Sequence, residues 1–270
     1  MKRALIMGVL AGALMGATAT VRAEMVTWNT TGAIDPGNGS MCLSTQCKTT
    51  FSSSGNTLTV KAYSTNLNGA TNPYDDAWIE GRIALYSGGI GVANLVGADT
   101  GEGGTPEHAV DNQGAKDVVV FELPAGSWDP ESFKLGWKSG DADVQAWIGG
   151  ASLGASYDFR DVCFSGCSGV GGTVKPTLKT LAELGFTEIT SGIPQSPGGE
   201  NIPTGTSVPF NTTATGRYLV MSGKIGDPDD FFKISQLVAK VPVPGSALLL
   251  GLGLLMLFGR PRSRLKSLSF

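Results

Sequence analysis

The 270-residue chain holds a single histidine, His108, and only four cysteines. One imidazole builds no histidine metal cluster, and Ser–His–Asp catalysis would need it beside a nucleophile that nothing in the sequence marks. There is no Gly-x-Ser-x-Gly elbow, no His-Glu-x-x-His pair and no phosphate-binding glycine loop. Heptads, a nonapeptide calcium repeat and long amphipathic helices are absent as well. So is a basic surplus: residues 24–240 carry all 23 acids against 13 of the 20 Lys and Arg, a net charge of −10. Nucleic-acid binding through a basic footprint is thereby excluded. An acidic surface instead favours solubility and leaves room for divalent cations. A carboxylate pair for glycoside hydrolysis needs only two acids about 5–9.5 Å apart, which 23 acids meet by coincidence. The chain is therefore read as no enzyme.

What the sequence does have is concentrated first at its ends. Lys2 and Arg3 precede an uncharged stretch, Ala4 to Ala19, and Val21-Arg22-Ala23 offers a small-residue cleavage site before Glu24. This is the three-part plan of a secretory signal, 1–23, cut between Ala23 and Glu24 by signal peptidase after passage through the export translocon. The segment is apolar all round, so it has no polar face with which to lie on a domain surface. At the other end Pro242 to Gly259 is uncharged, and as a helix its 18 residues would reach roughly 27 Å, near the ~30 Å hydrocarbon core of a bilayer. Arg260, Arg262, Arg264 and Lys266 follow with no acid among them, while Asp227, Asp229 and Asp230 lie upstream. That asymmetry keeps the basic tail cytoplasmic and exports the acidic side.

Val241, Pro242, Val243, Pro244 and Gly245, the Leu/Gly-rich span and the Arg-rich end resemble the sorting signal of PEP-CTERM proteins. These are substrates of the membrane protease called exosortase. The commonest motif of that family is Val-Pro-Glu-Pro; Val243 replaces the Glu, as in the apolar Val-Pro-Leu-Pro-Ala variants. The resemblance covers residues 241–270. It implies an inner-membrane sorting intermediate, then delivery to the cell surface or extracellular matrix of a Gram-negative bacterium that makes exopolysaccharide.

The domain between the ends, 24–240, reads as all-β. Short runs with apolar/polar alternation or β-branched enrichment recur at Thr57–Tyr63, Trp78–Tyr86, Asp117–Leu123, Ser132–Trp137, Val144–Ile148, Tyr157–Phe164, Arg217–Met221 and Phe231–Val238. In the first, Leu58, Val60 and Ala62 face one way, and Thr57, Thr59 and Lys61 the other. Turn residues such as Ser54-Gly55-Asn56 separate the runs. The spacing predicts an antiparallel β-sandwich, jelly-roll-like, flanked by a cleavable N-terminal signal helix and a C-terminal transmembrane helix. Residues 165–216 are rich in Gly, Pro, Ser and Thr and read as a loop or insertion, with one short helical pattern at Thr177–Leu184.

The cysteines form two close pairs, Cys42/Cys47 and Cys163/Cys167. In an oxidising compartment an even count points to disulfides, and the two local pairings are favoured over zinc, whose usual spacings these are not. Trp78 and Trp137 sit within strand patterns and are expected in the core. Trp128 and Trp147 are the better candidates for exposure and for stacking on sugars.

Pro106 to Asn112, Asp117 to Phe121 and Leu135 to Asp143 resemble the ectodomain of a set of exosortase-dependent surface proteins. That likeness implies a surface β-sandwich with no catalytic residues. Asp111, Asn112 and Asp117 bracket one turn, Asp141 and Asp143 another, at the ends of neighbouring strand runs. Oxygens from two adjacent loops are what Ca²⁺ takes, though Asp and Asn are also simply good turn formers. The functional expectation is a structural or adhesive surface protein associated with exopolysaccharide or biofilm. A calcium-dependent carbohydrate-binding module and a secreted polysaccharide-acting enzyme are the alternatives.

Overall fold

The computed structural model describes residues 23–32, 48–65, 76–93, 108–140, 142–167, 177–193, 202–226 and 230–241. Those from Met25 onward belong to one compact unit, Met25–Pro242. The signal segment before Ala23, Cys42, Cys47, Asp141, the sorting motif beyond Val241 and the basic tail lie outside the described residues. Among the described residues no helix is long and apolar enough to cross a membrane.

Strands dominate. In chain order they are β1 Met25–Asn29, β2 Lys48–Ser53, β3 Asn56–Thr65, β4 Trp78–Glu80, β5 Arg82–Tyr86 and β6 Gly89–Ala93. Next come β7 Val110–Asp111, β8 Asp117–Glu122, β9 Asp129–Gly140, β10 Val144–Gly149 and β11 Val162–Cys163. The last are β12 Lys179–Thr180, β13 Thr187–Glu188, β14 Ser207–Pro209, β15 Tyr218–Gly223 and β16 Asp230–Lys240. One sheet runs β14-β9-β16-β6-β5, with β1 and β7 also on β16; the other runs β13-β10-β15-β8-β3-β2, with β4 on β3. All pairings in both are antiparallel, and among the described residues only the small β11–β12 ladder is parallel.

The expected alternation in β3 is met: Leu58, Val60 and Ala62 enter a core that also takes Val119 and Phe121 of β8, Phe133 and Leu135 of β9, and Ile234 and Leu237 of β16. Both sheets thus share one core. The opposite face of the second sheet is buried too. Tyr63, Val118, Val120, Trp147, Tyr218 and Val220 lie beneath Phe159, Phe164, Leu181 and Phe186. This explains why Asp117–Glu122 is buried along its whole length and why Val118, Val119, Val120 and Phe121 follow one another without a polar residue.

Three expected elements take other forms. The Trp78–Tyr86 run is two strands, β4 in one sheet and β5 in the other, with the chain turning between them at Gly81. There the Gly81 N–H donates to the Ala62 carbonyl at 3.0 Å, and a Cβ would sit 3.3 Å from the backbone of Ala62 and Tyr63. A strand that switches sheets needs such a bend. The Tyr157–Phe164 run is strand only at Val162–Cys163; the rest is irregular chain pinned by Phe159, which is fully buried. The helical pattern at 177–184 amounts to one capped turn. Thr180 and Glu183 exchange hydrogen bonds, with Glu183 Oε2 accepting the Thr180 N–H at 2.8 Å and Thr180 Oγ1 accepting the Glu183 N–H at 3.1 Å. Gly185, at φ 78°, ends it.

Where residues 165–216 are described they are poor in regular structure, yet they supply Leu181, Phe186, Ile189, Ile193, Ile202, Val208 and Phe210 to the two cores. The segment is loop-like in backbone and core-forming in side chains. In the first sheet, β1 pairs with β16 in the register Met25↔Lys240. The first and last strand residues of the domain are therefore neighbours.

Candidate functional site

Three strand ends meet in a buried polar cluster. Asn112 follows β7, Asp143 precedes β10, and Asp230 opens β16; all three are at most 1% exposed. Asp230 accepts three N–H groups: Asn112 Nδ2 at 2.6 Å, the Lys224 amide at 2.9 Å and the Asp143 amide at 2.5 Å. Asn112 answers by accepting the Asp230 amide at 3.0 Å and donating to the Lys224 carbonyl at 2.9 Å. Lys224 Nζ pairs with Asp143 Oδ2 at 2.6 Å. Beside this lie Asp111, whose Oδ1 accepts the Gln113 amide at 3.0 Å, and Asp117, whose Oδ2 accepts the Asp111 amide at 3.4 Å.

The structure therefore gathers Asp111, Asn112, Asp117 and Asp143, four of the five candidate calcium ligands, at one end of the domain. The fifth, Asp141, lies outside the described residues. Among the described residues no group of three or more His, Cys, Asp or Glu is arranged to hold a metal ion. The carboxylate and amide oxygens serve mainly as acceptors for backbone N–H groups and for Lys224, which makes the cluster a clasp. Asp143 Oδ1 is a buried oxygen with no hydrogen-bond partner. Asp230 and Lys224 were missed as members. Asp230 stands at the end of the acids Asp227, Asp229 and Asp230 and opens a strand, but nothing local ties it to Asn112, and no sequence signal marks Lys224.

A second feature crosses the outer face of the first sheet. β9 bulges at Gly136: Lys233 faces Trp137 while the next residue, Ile234, faces Leu135. The bulge turns Trp137 out of the inward series of Phe133 and Leu135, so it is half-buried rather than a core residue. Lys233 Nζ lies 3.7 Å from the Tyr86 ring centre and 5.0 Å from that of Trp137. His108, in the left-handed region at φ 47°, stacks on Tyr86 with centroids 6.4 Å apart. It is thus a packed histidine.

The tryptophan expectations reverse. Trp128 is buried against Trp28, centroids 5.5 Å apart, and Trp147 is buried beside Phe164 at 5.2 Å. Pro130 and the turn chemistry near Trp128 suggested exposure, but the Trp128 backbone is bridged to Gly216 on both sides, which draws the ring inward. Trp78 is core, as its strand pattern indicated.

Beside Trp78 a recess of about 310 Å³ is lined by Trp78, Ile79, Asp158, Arg160 and Asp161. Asp158 Oδ2 accepts Arg160 Nε at 2.7 Å and also Arg160 Nη2, and its Oδ1 accepts the Arg160 amide at 3.0 Å. Partial burial pushes the Asp158 carboxyl up, but the Arg160 hydrogen bonds and charge outweigh it and hold it below the usual carboxylate range. The same hydrogen bonds raise Arg160. Just downstream, Cys163 and Cys167 form a disulfide.

The chain is thus a disulfide-bearing, antiparallel all-β protein whose two sheets share one core. No protein family, curated protein or solved structure matches it.

Proposed function

We propose that this chain is an exported surface or extracellular-matrix protein, a jelly-roll-like β-sandwich sorted through the inner membrane by an exosortase. Its role is structural or adhesive, associated with exopolysaccharide, and non-enzymatic. The pairing of Met25 with Lys240 carries the reading. The two greasy, positively flanked segments of the sequence therefore adjoin neighbouring strand ends of the domain. Glu24, at the expected signal-peptidase cut, is exposed, and Val241, which opens the sorting motif, is half-buried against the core. The Cys163–Cys167 bond supports an oxidising compartment.

Cell fractionation with mass spectrometry of the mature termini tests this. The expected product starts at Glu24, lacks Arg260 to Lys266 and resides at the surface or in the matrix. Full-length chain with reduced thiols in the cytoplasm would overturn it. A second reading, a calcium-dependent carbohydrate-binding module, draws on the buried carboxylates of Asp111, Asp117, Asp143 and Asp230 and on the Asp143 Oδ1 atom. Glycan binding that disappears with a chelator would select it.

A further inference from the structure

We propose that the recess beside Trp78 is a binding subsite for one neutral sugar unit of a polysaccharide. The proposal rests on the matrix reading above and gives that reading a point of contact. The recess, at about 310 Å³, matches the roughly 300 Å³ lower bound of ligand pockets.

Its wall is built rather than incidental. Phe159 is fully buried between Asp158 and Arg160, which places those two side chains on the outside of a loop anchored from within. The Tyr157 amide donates to Tyr218 Oη at 3.1 Å, the Phe159 amide to Tyr63 Oη at 3.4 Å, and the Asp161 amide to the Trp78 carbonyl at 3.2 Å. The disulfide at Cys163 closes the loop beyond. A loop held this way loses little freedom when a ligand arrives.

The chemistry on show is a fixed acceptor beside fixed donors. Asp158 and Arg160 are each about half exposed, so their remaining lone pairs and N–H groups face water. Adjacent hydroxyls of a sugar both donate and accept, and such a pair answers them side by side. Trp78 and Ile79 close the floor of the recess. Charge narrows the class. Two carboxylates, Asp158 and Asp161, against one guanidinium leave the wall net negative. A uronic acid or a phosphate would have to displace Asp158 from Arg160 and face Asp161, so neutral sugars are preferred.

The test is a titration of the full-length protein in mild detergent with maltohexaose, cellohexaose and mannohexaose, and in parallel with oligogalacturonate and inorganic phosphate. One neutral hexasaccharide is expected to bind and to shift tryptophan emission. Arg160→Ala and Asp158→Ala, both surface changes, should each weaken it at least tenfold with the melting temperature nearly unchanged. Absence of neutral-sugar binding at millimolar concentration, equal binding by the variants, or tighter binding of oligogalacturonate or phosphate would each overturn the proposal. A surface-located, tail-cleaved protein that binds no sugar would sink this subsite and leave the sorting reading standing.

Discussion

Asn112 and Asp230 grip each other reciprocally across 118 residues of sequence: the Asn112 amide donates to the Asp230 carboxylate at 2.6 Å, and the Asp230 backbone N–H donates to Asn112 Oδ1 at 3.0 Å. Both are fully buried. Asp230 also holds the amides of Asp143 and Lys224, so Asp230→Ala removes the acceptor of three N–H groups at once. The expected loss is on the order of 3 kcal/mol or more. Urea unfolding should show Asn112→Ala to cost less, and the double variant to cost less than the two added together, because they remove one shared network. Additive losses would mean that the contacts act independently.

Calcium tests the same cluster from outside. An ion there would have to share Asp230 with three N–H groups and Asp143 with Lys224. The clasp geometry therefore predicts that millimolar Ca²⁺ moves the melting temperature by no more than about one degree, since there is little differential binding to the folded state. A site occupied at hundredfold excess would add about 2.7 kcal/mol, several degrees for a domain of this size. A rise of that size would select the calcium-dependent reading.

Glycine at position 91 lies where β6 passes under His108, and a Cβ there would overlap the His108 carbonyl oxygen. Backbone cannot yield as a flexible side chain does. Gly91→Ala should cost about 3 kcal/mol by overpacking and should disturb the His108–Tyr86 stack. Near-native stability in thermal unfolding would show that the 108–110 segment is free to shift.

The Cys163–Cys167 bond closes a short loop, with four residues of sequence separation. Its loop-closure effect on the unfolded chain is about 2 kcal/mol, and its larger role is to fix the chain that leaves β11 at Cys163. Cys167→Ser should lower the urea midpoint modestly and leave the two-sheet core intact. Complete unfolding on reduction would show that the outer layer of the second sheet folds only around this bond.

Much of the fold was readable because period-two alternation is local. Leu58, Val60 and Ala62 declare their face within six residues, and the Asp117–Glu122 and Phe231–Val238 runs mark strands by composition alone. Two kinds of feature were not readable. Trp137 stood in a strand pattern as a core residue, but a bulge at Gly136 re-aims it, and register shifts depend on the partner strand. Trp147 reads as exposed because its cover, Phe159, Phe164 and Phe186, comes from chain with little strand pattern, and Trp128 because the ring is drawn inward by a bridge to Gly216 that is remote in sequence. The polar cluster was half readable. Asp111, Asn112, Asp117 and Asp143 were singled out as turn-bracketing oxygens, whereas Asp230, the hub, joins them only through tertiary structure.

The Asp158–Arg160 pair sets a pH window with a definite sign. Burial raises the Asp158 carboxyl, but the Arg160 hydrogen bonds and charge outweigh it, so the folded-state value lies below the unfolded one, near 3.9. A carboxyl depressed on folding contributes stability that is fully present above the unfolded value and is lost as pH falls through the folded one. Asp158→Asn keeps the shape and removes the charge. The melting-temperature gap between the parent and Asp158→Asn should therefore be constant from pH 7 to about 5, then close below about 4. Both side chains are roughly half exposed, so the gap should be small and should shrink further in molar salt. A gap unchanged down to pH 2 would mean that the Asp158 carboxyl supports the loop through hydrogen-bond geometry alone, with its ionisation irrelevant.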